Sequence, residues 1–419
     1  MGDIGVRDGH APSTEVSHRR GFVITFAVLL VVWVGVLMTI ALTVVPDAYW
    51  YSYYSVDYTL GFIRRGLAGE LLGLFPRAHY FGALAVLRWL PTAFFVIGLA
   101  ALAWSVAVRS GRSERRLLVA LLIPVLPFGF AFGLFSARTD LFGAAALVAF
   151  AIALTRVNTA RATVMTSAVY GSALVVLTLI HEATPFLFGL GVLAALTVLP
   201  GQLDTKTFRV SAGCALGPGI VTALAVAVLG RRGLSGQLCQ LVPHGPANHP
   251  LAGKPTIGQL LRGFHYYVDY HDWICRAILP LFDQTFGDAV RFVGSIGIGA
   301  LAGSTVYGIA VLAISLLAIG HVSGVPVQRF AAILRVRPIA LLIGLVLMLP
   351  IFLTGVDWIR WWVIIAFDLG SVFLLYAGRQ PEVDRPPTRR TLAVFAVGAV
   401  LLAVIPVGII PGFGAPVPM

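Results

Sequence analysis

The sequence predicts an all-α, polytopic integral membrane protein of about eleven transmembrane helices, and three observations predict it. Of 419 residues, 58% are hydrophobic and only 11% are charged, where a soluble domain needs roughly a quarter charged to cover its surface. The mean hydropathy is +0.90. Apolar runs long enough to cross about 30 Å of hydrocarbon recur along the whole chain.

The elements follow in order. Residues 1–21 read as a cytoplasmic tail. The run after "HRRG" extends about 25 residues, too long for a signal core, and no small-residue cleavage site follows it; it is a retained first helix at 22–45. Further runs lie at 82–108, 117–135, 141–156, 163–180, 184–199, 210–230, 292–320, 339–355, 362–378 and 391–412. The fourth and sixth are short, and only "HEAT" separates 163–180 from 184–199, so a broken or re-entrant element remains open there. With the N-terminus inside, every inside loop is net basic, including Arg109, Arg112, Arg115 and Arg116 after the second run and Arg329, Arg335 and Arg337 after the eighth, as the positive-inside rule requires. The expected organisation is one transmembrane domain, 22–412, with outer loops 46–81 and 231–291 that carry juxtamembrane helices. A short extracytoplasmic tail, 413–419, follows.

The net charge of +12 has its place in those loops, where arginine meets anionic headgroups. No soluble basic domain exists to hold nucleic acid, and neither a Walker sequence nor a Rossmann fingerprint is present. Cys214 lies in an apolar run. Cys239 and Cys275 share one polar segment and can pair if that segment faces an oxidising compartment.

Charge gathers where orientation does not call for it. The first outer loop holds Asp47, Asp57, Arg64, Arg65, Glu70 and Arg77. "FSARTDLFG" holds Arg138 and Asp140, "LIHEATPF" holds His181 and Glu182, and "TGVDWIRWW" holds Asp357 and Arg360. Charges at membrane depth cost a few kcal/mol each and survive when paired or when lining a wet cavity. Arg138 with Asp140, and Asp357 with Arg360, are neighbours suited to pair. Two readings follow: ion pairs that fix helix packing, or a site for an anionic ligand.

The stretch "GFIRRGLAGELLGLF", 61–75, reads as a short interfacial helix whose glycines allow close approach of a backbone or a ligand. Arg64 and Arg65 suit phosphate through the planar guanidinium fork, or simply meet lipid headgroups. Asp57 and Glu70 are the candidate bases. Tyr49, Trp50, Tyr51, Tyr53, Tyr54 and Tyr58 read as an interfacial aromatic belt, with a sugar-stacking surface as the alternative. "HEAT" lacks the second histidine of a zinc H-E-x-x-H motif, since position 185 is Pro185. His265, Asp269, His271 and Asp272 can gather on a helix expected within 256–290, but exposed clusters of this kind are usually solvated surface, and no metal site is assigned.

The layout resembles membrane-embedded GT-C-type glycosyltransferases that use polyprenyl-phosphate sugars, and related bacterial polysaccharide polymerases. The resemblance rests on Asp57 within "YSVDYTLGFIRRGLAGEL" in a large first outer loop, on "VDWIRWW" and on "LIHEATPF". The paired acids usual near the first helix of such enzymes are not cleanly present, as Asp47 and Asp57 stand ten apart. The resemblance implies a bacterial plasma-membrane protein, multi-pass, with its site on the extracytoplasmic side. The implied partners are a polyprenyl-phosphate-linked sugar, a glycan or lipid acceptor and membrane lipids. In that scheme Asp57 and Glu70 are catalytic, and Arg64, Arg65, Arg138, Asp140, His181, Glu182, Asp357 and Arg360 bind substrate. A divalent cation is the one cofactor class left open. A transporter or flippase for an anionic or lipid-linked substrate, and a non-catalytic envelope assembly protein, are the competing readings.

Overall fold

A computed structural model describes residues 12–44, 47–108, 113–136, 138–254, 256, 258–259 and 262–404. Of the expected tails, residues 1–11 and 413–419 lie outside the described residues, as do Arg109 and Arg112. In its described residues each of the eleven apolar runs falls on helix: Pro12–Val44, Leu90–Val108, Glu114–Leu122 with Phe130–Phe135, Leu141–Leu154, Ala160–Ile180, Thr184–Val198, Thr205–Leu229, Ile298–Ser323, Pro338–Thr354, Trp358–Ala377 and Arg389–Val404; 405–412 of the last run lie outside them.

The count of membrane crossings differs from the expectation. By length and composition, seven helices among the described residues can cross a membrane, or eight if Val327–Leu334 and Pro338–Thr354, bent by 93°, make one span. Leu141–Leu154 and Thr184–Val198 have 14 and 15 residues. At 1.5 Å per residue they reach only about 21–23 Å. Almost every position of Thr184–Val198 from Leu187 to Leu196 is buried, so its neighbours sheathe it and lipid thickness does not set its length. It packs against Pro338–Thr354, Trp358–Ala377 and Thr205–Leu229.

The apolar core has two parts. The larger fills the helix bundle around Trp358–Ala377; the smaller joins the first outer loop to the long segment 231–291 and the helix ends beneath them. Segments expected inside meet each other. Arg116, 1% exposed, binds Asp384 through two hydrogen bonds of 2.6 and 3.0 Å and donates to the carbonyls of Val106 and Gly378. Arg329 pairs with Glu382 at 2.7 Å. Segments expected outside also meet each other: Tyr270 donates to the Tyr51 carbonyl, and the Arg231 amide donates to the Phe62 carbonyl at 2.8 Å.

Two outer elements depart from expectation. The helix expected over 61–75 is confined to Gly66–Gly73, because Gly61 (φ +103°) and Arg65 (φ +63°) turn the preceding chain through left-handed backbone. Within the segment expected to be helical over 256–290, Tyr267–Asp269 is instead a strand, paired antiparallel with Pro246–Asn248 of the preceding loop. Short helical turns and the helix Phe286–Ser295 follow. Cys239 and Cys275 form a disulfide across it.

Candidate functional site

The four rim segments deliver their charges to one cluster, with partners exchanged between segments. Arg138 pairs with Asp357 and Arg360 with Asp140, and the expected neighbour pair Asp357 with Arg360 forms as well, at 3.7 Å, so Asp357 lies between two arginines. Arg65 binds Glu182 in bidentate fashion at 2.9 and 3.0 Å, and Arg64 approaches the same carboxylate at 3.9 Å. His181 stacks on Tyr53. Local structure aims these groups: His181 ends the helix Ala160–Ile180 in extended backbone, while Asp140 and Asp357 precede the helices Leu141–Leu154 and Trp358–Ala377.

Burial pushes the Glu182 carboxyl up, but Arg65, His181 and Arg64 outweigh it and hold the group well below the ordinary glutamate range. Asp140 and Asp357 follow the same balance: burial raises them, and their arginines bring each below the usual carboxylate value. Burial, with Arg65 adding to it, lowers His181 to about 4, so it is neutral at pH 7. Burial likewise lowers Arg64 to about 10, against the pull of Glu182, which leaves it charged. The cluster thus holds four guanidinium groups, Arg64, Arg65, Arg138 and Arg360, against three carboxylates, Asp140, Glu182 and Asp357. Arg232 and Asp283, both within electrostatic reach of Arg64, cancel. One positive charge remains.

Hydrogen-bonding capacity also remains. Among the described residues, Asp140 Oδ1, His181 Nδ1, Arg138 Nε, Ser136 Oγ and Thr139 Oγ1 are buried without a hydrogen-bond partner. Such atoms occur elsewhere in the molecule too, among them Ser167 Oγ, Ser211 Oγ and Asp368 Oδ1; at the cluster they leave groups that water can satisfy. Asp140 is 1% and Arg360 9% exposed, whereas Arg64 is 32% exposed, at the open edge, with its guanidinium 4.5 Å from the Phe282 ring centre and a hydrogen bond to the Leu281 carbonyl.

Asp57 and Glu70 are placed differently from the other expected site residues. Asp57 Oδ1 accepts from the Thr59 amide and Glu70 Oε1 from the Tyr58 amide, each at 2.9 Å; these bonds tie the loop to itself. The glycines act likewise. A Cβ on Gly69 would meet the backbone of Val56 and Asp57, and one on Gly66 the Tyr58 ring. The tyrosines are neither a lipid-facing belt nor an open sugar platform: Trp50, Tyr51, Tyr53 and Tyr54 are all buried. Tyr49 and Tyr53, which sequence reasoning put in the belt, lie under the guanidinium groups of Arg138 and Arg65, at 5.1 and 5.8 Å. Their helical spacing of four, beside so many arginines, was the available signal. Asp47 pairs with Arg88. Asp368 lies apart, fully buried in its helix and accepting from the Gly191 amide at 3.0 Å.

Comparison with known proteins gives the chain its kin. It matches the family model described as "Uncharacterised membrane protein Rv1490" over residues 23–403. It is 39% identical over 384 residues to "Uncharacterized protein Rv1490" of Mycobacterium tuberculosis and to "Uncharacterized protein Mb1527" of Mycobacterium bovis, an alignment that covers 90% of this chain and 88% of each relative. No solved structure matches it, and no glycosyltransferase family is among the matches. The family match over residues 23–403 and 39% identity across 90% of the sequence carry the conclusion: the chain belongs to the Rv1490 family of membrane proteins.

Proposed function

We propose that this chain transfers sugar from a polyprenyl-phosphate-linked donor to a cell-envelope glycan or glycolipid at the extracytoplasmic face of a bacterial plasma membrane, as a glycosyltransferase or polymerase. One observation carries the reading: the rim cluster holds one more guanidinium than carboxylate, with its spare cation, Arg64, at the open edge. Fixed positive charge of this kind stabilises a phosphate leaving group. The bond from sugar C1 to the phosphate oxygen breaks, the bond from C1 to the acceptor oxygen forms, and the lipid phosphate departs toward Arg64 and Arg65. The acceptor proton goes to a carboxylate. Asp57 and Glu70, both more accessible than the buried, Arg360-paired Asp140, are the candidates, each giving up the loop amide from which it accepts. The disulfide in the same layer suits an oxidising, extracytoplasmic compartment.

A second reading has its own support. The charges pair largely with each other, and two surface cavities, of about 490 and 340 Å³, lie elsewhere; a non-catalytic assembly protein held by an ion-pair staple has this appearance. The experiment is turnover of a panel of labelled polyprenyl-phosphate sugars by the purified chain in proteoliposomes, with polyprenyl-phosphate binding followed by native mass spectrometry. The enzyme reading expects transfer that Asp57→Asn abolishes and lipid-phosphate binding that Arg64→Ala weakens. A folded protein that neither binds the lipid phosphate nor uses any donor supports the staple instead.

A further inference from the structure

We propose that His244, Asp269 and Asp272, on the long outer segment, form a binding site for a divalent transition-metal ion. The ligand atoms of the three side chains lie within 4.8 Å of one another and all three residues are solvent-exposed. Metal–ligand bonds of about 2.0–2.2 Å are reached by turning the Asp272 side chain inward and by drawing Asp269 Oδ1 off the bond it accepts from the Asp272 amide.

The backbone holds the three in place. His244 stands just before the strand Pro246–Asn248, Asp269 ends the partner strand Tyr267–Asp269, and the register sets Pro246 opposite Asp269. Asp272 follows on the turn Tyr270–Trp273. The Cys239–Cys275 disulfide closes the segment around the trio, so little conformational entropy is lost on binding. A cavity of about 490 Å³, lined by His244, Gly245, Pro246, Tyr267, Val268 and Asp269, opens beside it and leaves room for water or a further ligand on the ion.

The chemistry selects the ion. His244 Nδ1 and Asp269 Oδ1 are 3.2 Å apart; a metal ion binds imidazole and carboxylate in their deprotonated forms, so binding weakens as pH falls. One imidazole with two carboxylates suits zinc and its neighbours, whereas calcium and magnesium prefer oxygen alone. His271 stacks on His244 with ring centres 4.0 Å apart and bonds the Val242 carbonyl through Nδ1 at 2.8 Å, which fixes the His244 ring from behind. The sulfurs of the disulfide do not ligate. His265, grouped with this cluster by sequence, instead stacks on Tyr267.

The test is calorimetric titration of zinc into full-length protein, purified without a histidine tag and stripped with chelator. One ion per chain is expected, bound more weakly at pH 5 than at pH 7. His244→Ala and Asp272→Asn are each expected to weaken binding at least about tenfold, with His265→Ala unchanged. Absence of binding, or binding that His244→Ala leaves intact, overturns the proposal. So does binding that appears only after reduction and is lost in His271→Ala, which would move the site to the thiols of Cys239 and Cys275. None of these outcomes bears on sugar transfer.

Discussion

Arg65 gives a prediction that separates its backbone from its side chain. It stands at φ +63°, one of two non-glycine residues with positive φ among those described, and its guanidinium binds Glu182. Arg65→Ala and Arg65→Gly both remove the ion pair. With the two side chains 27% and 24% exposed, the loss falls between the surface and buried cases, at about 2 kcal/mol. They differ in backbone. Left-handed conformation costs a residue with a Cβ about 1–2 kcal/mol, and glycine gives back roughly 0.4–1 kcal/mol in extra freedom of the unfolded chain. Arg65→Gly should therefore be the more stable variant by about 1 kcal/mol, near a fivefold difference in the unfolding equilibrium. Reversible SDS unfolding in mixed micelles, followed by tryptophan fluorescence, reads this. Both variants should be equally impaired in lipid-phosphate binding. If Arg65→Ala proves as stable as Arg65→Gly, the strained turn does not exist and the reasoning fails.

Three further outcomes are expected. His181 titrates near 4 when folded against about 6.5 unfolded, so the unfolded chain takes up the proton first. Stability is full above about pH 6.5 and falls toward pH 4, by on the order of 3 kcal/mol from this group; unfolding midpoints for His181→Gln should fall much less between about pH 6.5 and pH 5, where the lowered His249 still contributes, with acid loss from Glu182, Asp140 and Asp357 joining below about pH 5. Arg116→Ala removes a buried guanidinium that joins Asp384 to two carbonyls and should cost about 3–5 kcal/mol in the same SDS titration. Gly69→Ala puts a methyl 2.9 Å from the Asp57 amide and nearer still to the Val56 carbonyl, an overpacking of about 1–3 kcal/mol; unchanged thermal stability in detergent would mean the loop lies elsewhere.

The membrane class and the run of helices were legible because lipid imposes them residue by residue: apolar length is a local property of the chain. So was the rim charge, since Arg138, Asp140, Asp357 and Arg360 stand where an ion is costly and therefore visible. Their partners were legible only in part. Helical spacing favours Asp357 with Arg360, which do meet at 3.7 Å, but adjacency favours Arg138 with Asp140, and the pairs Arg138 with Asp357 and Arg360 with Asp140 form across more than 200 residues, a choice that only tertiary packing sets. Thr184–Val198 shows the matching limit for span counting, because a short helix sheathed by others looks in sequence like one facing lipid. His244 was missed as a neighbour of Asp269 because a strand pairing, not a helix, brings them together.

The exchange of partners bears on what the cluster is for. Arg138 with Asp357 and Arg360 with Asp140 cross-link the starts of the helices Leu141–Leu154 and Trp358–Ala377, and Arg65 with Glu182 ties the first outer loop to the helix end at His181. A staple needs no more than that, and its best form is neutral, since an uncompensated ion in a low-dielectric site costs several kcal/mol. Here the count is four to three, and His181, the one group whose titration shifts that balance near neutral pH, is held uncharged by burial and by Arg65. The surplus sits on Arg64, the most exposed of the four guanidiniums, where water limits its cost until a ligand arrives. Pairing alone accounts for three arginines; the fourth, half in contact with a carboxylate already committed to Arg65, rests on the Leu281 carbonyl and the Phe282 ring, and in the reading proposed above it is the group that meets the lipid phosphate.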